Sequence, residues 1–131
     1  MCLTTKQVYP FMAEEEIVCY KLIEKKRNLF GWKWVTPYQN FRVSKSVVAG
    51  KRLLRARGRR IYYRYNLGNI IGGGYIHTFS NNEYEKDVYE IMSVAGYHLF
   101  ECVIPVGTEY YVSDTEQEYA SRSIRFVSQI F

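Results

Sequence analysis

The apolar residues of this chain come in short runs rich in β-branched and aromatic side chains, and one stretch alone carries the spacing of a helix. That pattern restricts the fold strongly, because periodicity decides which face of each element can be buried. Ile17 to Ile23 (IVCYKLI) is the clearest strand. Alternation puts Val18, Tyr20 and Leu22 on one face, and Ile17, Cys19, Lys21 and Ile23 on the other. Lys21 is then the one charge in a largely buried strand, placed either to snorkel out at a sheet edge or to meet a ligand. The helix is expected over Ser80 to Ala95. Ser80 and Glu83 match a capping box, and Glu83, Glu85 and Asp87 suit the positive end of the dipole. Tyr84, Val88, Ile91, Met92 and Ala95 form an apolar stripe, and Gly96 terminates it. The pattern predicts an α+β fold: a twisted, mainly antiparallel sheet of about six strands, with one principal helix, Asn81 to Ala95, packed on it.

Between these landmarks the remaining segments read in order. Met1 to Pro10 is an irregular arm, and Glu24 to Asn28 a polar turn. Leu29 to Val35 (LFGWKWV) alternates and reads as a hairpin partner of the first strand. Pro37 makes 36–40 a loop. Phe41 to Val48 reads as a strand, and Gly50 to Gly58 as a short helix or an exposed hairpin arm. Ile61 to Asn66 and Tyr75 to Phe79 read as strands flanking a glycine cluster. Tyr97 to Ile104 is a central strand, and Glu109 to Val112 another. An acidic loop follows from Ser113 to Tyr119, and Ser123 to Phe131 closes the sheet.

Charge points toward a partner. From Lys25 to Asn82 there is no Asp or Glu, yet the window holds thirteen of the eighteen Lys and Arg residues. The net charge is +5, so the chain presents a one-signed field suited to an anion. Thirteen tyrosines serve either β structure or base stacking. Arg52, Arg55, Arg57, Arg59, Arg60 and Arg64 interleave with Tyr62, Tyr63 and Tyr65, and nucleotides want both charges and rings. The alternative is a solvated basic hairpin. The 131 residues suit one domain. Cys2, Cys19 and Cys102 are widely spaced, with no Cys-x-x-Cys pair, so a metal site is not expected. Met1 to Pro10 lacks the apolar region of a signal peptide, and no run is long enough to span a membrane. The expectation is a soluble cytoplasmic protein with no membrane partner, for which an oligomer is open.

Gly72, Gly73 and Gly74 could bring backbone amides to a phosphate, although neither a P-loop nor a dinucleotide fingerprint is present. A bulge before a strand is the plainer reading. His77 sits between Tyr75 and Phe79 on one strand face, either as a bonded core residue or as a ligand contact. Neither His77 nor His98 has the hydroxyl two positions on that two-histidine phosphoesterases need. Glu116 and Glu118, in a loop with Tyr119 and Ser121, could lend a carboxylate to a site, or form a solvated loop. The candidate binding set is Tyr20, Lys21, Tyr38, Gly73, Gly74, His77, Arg57, Arg60 and Tyr63, with no catalytic residue, metal or cofactor.

Five motifs run in order: Val18 to Lys21 (VCYK), Thr36 to Gln39 (TPYQ), Gly74 to Phe79 (GYIHTF), Ile104 to Tyr110 (IPVGTEY) and Tyr119 to Ile124 (YASRSI). This order resembles a group of small uncharacterised proteins of tailed bacteriophages and gut bacteria. The resemblance implies nucleotide or nucleic-acid handling, action on a host defence pathway, or virion structure. The order of motifs is also similar to ADP-ribosyltransferase-like folds, in which a late Pro-x-Gly-Thr turn, here Pro105 to Thr108, precedes the final strands. Tyr20 and Lys21 stand where those enzymes place Arg or His. The preferred expectation is a module that binds a nucleotide-like or other phosphate-bearing anion. The alternatives are an ADP-ribosyltransferase-like enzyme, and a virion or assembly protein whose basic surface faces nucleic acid.

Overall fold

The computed structural model describes residues 3–36, 41–64, 68–81 and 94–130. Their strands are β1 (Leu3–Thr5), β2 (Phe11–Met12), β3 (Ile17–Asn28), β4 (Gly31–Val35), β5 (Arg42–Val43), β6 (Leu54–Arg55) and β7 (Tyr62–Tyr63). Then come β8 (Asn69–Ile71), β9 (Ile76–Phe79), β10 (Tyr97–Ile104), β11 (Glu109–Val112), β12 (Glu118–Ser121) and β13 (Ser123–Gln129). One helical turn, α1 (Lys45–Val48), lies between β5 and β6.

Strands β3 and β10 form the spine. They pair antiparallel without a break from Ile17↔Ile104 to Glu24↔Tyr97. β10 alternates between two covered faces, so Phe100, Cys102 and Ile104 are buried on one face, and Leu99 and Val103 on the other. The main sheet runs β2-β11-β12-β9-β3-β10-β13-β6, with β4 and β5 joined to the far end of β3. Arg122 alone separates β12 from β13. The path from β12 through β9, β3 and β10 to β13 therefore starts and finishes on one stretch of chain, and the sheet curls back on itself. Inside the curl lie Cys19, Ile23, Ile76, Phe100, Cys102, Ile104, Ile124 and Phe126, joined by Val43 and Val47 from the far end. Phe100 meets Phe126 edge to face at 5.2 Å between ring centroids, a favoured arrangement of ring quadrupoles.

A second, three-stranded sheet has the order β1-β8-β7. Its Leu3, Ile71 and Tyr62 pack with Tyr75, Tyr111 and Ala120, which belong to the main sheet and its approach. This smaller core covers the outer face of the β11–β12–β9 region. Thr5 fastens the layers, donating its hydroxyl to Val112 O at 2.6 Å.

The architecture departs from the α+β expectation. The described residues are mostly antiparallel β structure, and no helix among them reaches seven residues. The expected principal helix falls largely on 82–93, outside the described residues. Ser80, read as its cap, gives its hydroxyl to Glu116 O at 2.8 Å and its N–H to Gln117 O at 2.9 Å. It anchors the end of β9 to the loop before β12. Other departures have local causes. Phe41 to Val48 is not one strand, because Ser44 accepts from Val47 N–H and starts α1. Met1 to Pro10 is not wholly irregular, since β1 finds β8 as a partner distant in sequence. Glu24 to Asn28 is strand rather than turn, and the reversal sits at Leu29 and Phe30.

Candidate functional site

The pairing of β3 with β9 decides where the sequence-predicted residues lie. The two strands meet at Tyr20↔Phe79 only. Cross-strand partners share a face, so Tyr20, His77 and Phe79 lie on one side and Lys21 on the other. Past that point the ladder stops, and the ammonium of Lys21 donates to the His77 carbonyl at 2.8 Å. The side chain thus satisfies a backbone acceptor that a continued ladder would have paired. Burial pushes the Lys21 ammonium down to about 8, against the pull of the neighbouring Cys102 and Cys19 thiols. Burial raises both thiols, Cys19 to about 12, so they stay protonated at neutral pH. Thr78 Oγ1 lies beside Cys19 and is the one buried side-chain oxygen among the described residues with no partner in hydrogen-bond geometry.

The His77 ring sits 3.3 Å from Gly72 O through Nε2. Facing a carbonyl, Nε2 carries the proton of the neutral ring. Burial holds the imidazole down to about 4, so it is uncharged at neutral pH. Gly73 and Gly74 face protein backbone. Ile61 N–H donates to Gly73 O at 3.0 Å, and Gly72 N–H to Ile61 O at 2.9 Å. Gly74 has φ +81, and a Cβ there would stand 2.0 Å from Arg59 O. Its own carbonyl accepts from Arg122 Nη1. Gly74 is therefore explained by close approach of two chain segments. Arg60 pairs with Glu109, and Tyr63 is 53% exposed on β7. Tyr38 lies outside the described residues, between Thr36 and Phe41, whose N–H and carbonyl respectively are bonded at 2.8 Å.

The described surface has its basic concavity elsewhere. An open groove of about 750 Å³ lies between the β5–α1 segment and β6. Arg42, Arg52, Arg55 and Arg57 line it, with Ser44, over a floor that includes Val43, Val47 and Leu54. Pairing of β5 with β4 (Val35↔Arg42) brings one wall, and pairing of β6 with β13 (Ser123↔Arg55) brings the other. All four arginines are exposed, and among the described residues none is in an ion pair. Arg57 stacks its guanidinium over Phe41 at 5.4 Å, which fixes a flat cationic surface at the rim. Among the described residues the lining contains no Asp, Glu, His or Cys. It can clamp an anion through guanidinium forks. Of the sequence candidates among the described residues, only Arg57 belongs to it. Arg42, Arg52 and Arg55 all belong to the basic window, although only Arg52 and Arg55 fall in its arginine-rich run, and Ser44 has no local signal at all. They join through β-pairing that sequence spacing does not encode.

Among the described residues no cluster of His, Cys, Asp and Glu could hold a metal ion, and no helix is long and apolar enough to cross a membrane. The comparisons leave the geometry to speak alone, since no family model, no curated protein and no solved structure matches the chain.

Proposed function

We propose that this chain binds a phosphate-bearing, nucleotide-like anion in the arginine groove, acting in a host cytoplasm as a phage-type protein directed at a host pathway. The observation that carries the reading is the convergence of Arg42, Arg52, Arg55 and Arg57 on one groove with no carboxylate among its described lining residues. Such a cluster keeps its mutual repulsion unless an external anion relieves it. Phosphate oxygens match the guanidinium fork in a bidentate way. The Arg57–Phe41 stack supplies a plane on which a base can lie.

The test is a titration of nucleoside mono-, di- and triphosphates by calorimetry, at two salt concentrations, on the wild type and on R52A/R55A. Affinity should rise with phosphate count, fall with salt, and drop about tenfold or more in the double variant, since each charge-assisted contact is worth roughly 1.5–3 kcal/mol. Affinity that ignores salt, or that survives R52A/R55A, would remove the groove as the site.

A further inference from the structure

A second surface has no role in that reading. Strands β3 and β4 form a hairpin that pairs from Glu24↔Val35 to Asn28↔Gly31, and its reversal is Leu29-Phe30. Leu29 is 98% exposed, Phe30 97%, and Trp32 beside them 58%. Turn chemistry does not require these side chains. Neither Leu29 nor Phe30 has a positive φ; Gly31, at φ +119, takes the special conformation. Polar residues commonly fill such positions. Packing does not bury them either, since both side chains stand almost wholly in solvent.

The residues behind the tip are cationic. Lys26 and Lys33 face each other as cross-strand partners, and Arg27 is opposite Trp32. Like charges placed directly opposite are destabilising in a sheet. The acid on this hairpin is Glu24, 3.8 Å from Lys26, at the end away from the tip. Lys25 lies over the rings of Trp32 and Trp34, at 5.7 and 5.3 Å. The hairpin is therefore graded: an aliphatic and aromatic apex, an indole beside it, and a band of ammonium and guanidinium groups behind.

We propose that this hairpin tip is a membrane-surface anchor, inserting Leu29, Phe30 and Trp32 into the interfacial layer of an anionic lipid bilayer while Lys26, Arg27 and Lys33 meet the headgroups. The grading follows the bilayer's own order, acyl boundary, then interface, then charge. Surface attachment needs no crossing helix. A second copy of the chain is a poor occupant, because net charge +5 and a cationic hairpin repel their like. Single-stranded nucleic acid is also a poor fit. Leu29 has no π-face, and Trp34 is engaged edge-on by His98 and Phe100.

The experiment is flotation of the full chain with vesicles of phosphatidylcholine alone, or of phosphatidylcholine mixed with phosphatidylglycerol. The wild type should float with the mixed vesicles and much less with the neutral ones. L29S/F30S should fold with an unchanged melting temperature and lose about tenfold or more in partitioning. K26A and K33A should each lose roughly fivefold at low salt. Trp fluorescence should shift to the blue in mixed vesicles, and the shift should vanish in L29S/F30S. No flotation, or equal flotation of L29S/F30S, overturns the proposal. Flotation that survives L29S/F30S but fails in R52A/R55A assigns the lipid to the groove and overturns it too. Loss in L29S/F30S of binding to a single-stranded oligonucleotide, with flotation kept, gives the tip to nucleic acid instead.

Discussion

At the scale of the residue, Lys21 and His77 show how a polar side chain in a β-rich core finds its place. The chain puts an ammonium on the inner face of its central strand, and the fold answers with a carbonyl freed where β3 and β9 part. His77, one residue before Thr78, turns its ring to Gly72 on the opposite face. Its imidazole is held at about 4 by burial, against the ordinary value of 6.5. A folded value below the unfolded one means that the unfolded chain binds the proton more readily. Stability from this group is therefore complete above pH 6.5, falls as the pH drops toward about 4, and levels off below. The whole effect is at most about 3 kcal/mol. Denaturant melts at pH 7 and pH 4.5 should show a steeper loss for the wild type than for His77→Gln, which cannot take up the proton. Parallel losses would mean that His77 is hydrated in the folded state. That His77 is a bonded partner was one of two readings open from the sequence; the choice needed Gly72 O, which no strand pattern locates.

At the scale of the element, apolar alternation marks β3, β4, β9, β10 and β11 well, because each has a face that must be buried. Short strands with few apolar residues are another matter. Nothing in Leu54–Arg55 or Leu3–Thr5 distinguishes a strand, and each exists because a distant partner offers a free edge. The segment carrying Gly73 and Gly74 stands out in the sequence for a reason the sequence leaves open. A phosphate cradle and a tight bulge both call for glycine. The structure sets these residues against Arg59, Arg60 and Ile61, so close approach of two backbones is reason enough. Gly74→Ala should then cost about 2 kcal/mol or more, because a Cβ would stand 2.0 Å from a backbone oxygen at φ +81. Gly73→Ala should cost under about 1 kcal/mol, since its nearest neighbour is the movable tip of Ile61 at 3.2 Å. Chemical denaturation of the two variants side by side checks this, and equal costs would contradict the close-approach account.

At the scale of the whole molecule, Arg122 is the joint. It lies between β12 and β13, where one stretch of chain passes from the edge facing β9 to the edge facing β10. Its N–H reaches Glu109 O at 3.2 Å, its guanidinium donates to Gly74 O, and it stands 5.9 Å over the Tyr75 ring. These contacts tie the inner core to the smaller core beneath β1, β8 and β7. Arg122→Ala should lower stability by about 2 kcal/mol, and Arg122→Lys should not restore it, because an ammonium lacks the planar fork. A thermal melt of both variants tests this; full rescue by lysine would reduce the joint to a point charge. Arg122 is unmarked in the chain, one base next to Ser121 and Ser123. The basic window was plain from its lack of Asp and Glu, and so was the β character of the described residues. Both follow from composition and period-two alternation, which are properties of neighbours along the chain. The groove at Arg42, Arg52, Arg55 and Arg57, the partner of Lys21 and the curl at Arg122 follow from strand pairing between segments far apart. Each such pairing is chosen by the burial of both faces at once, and that competition is settled only when the whole sheet closes.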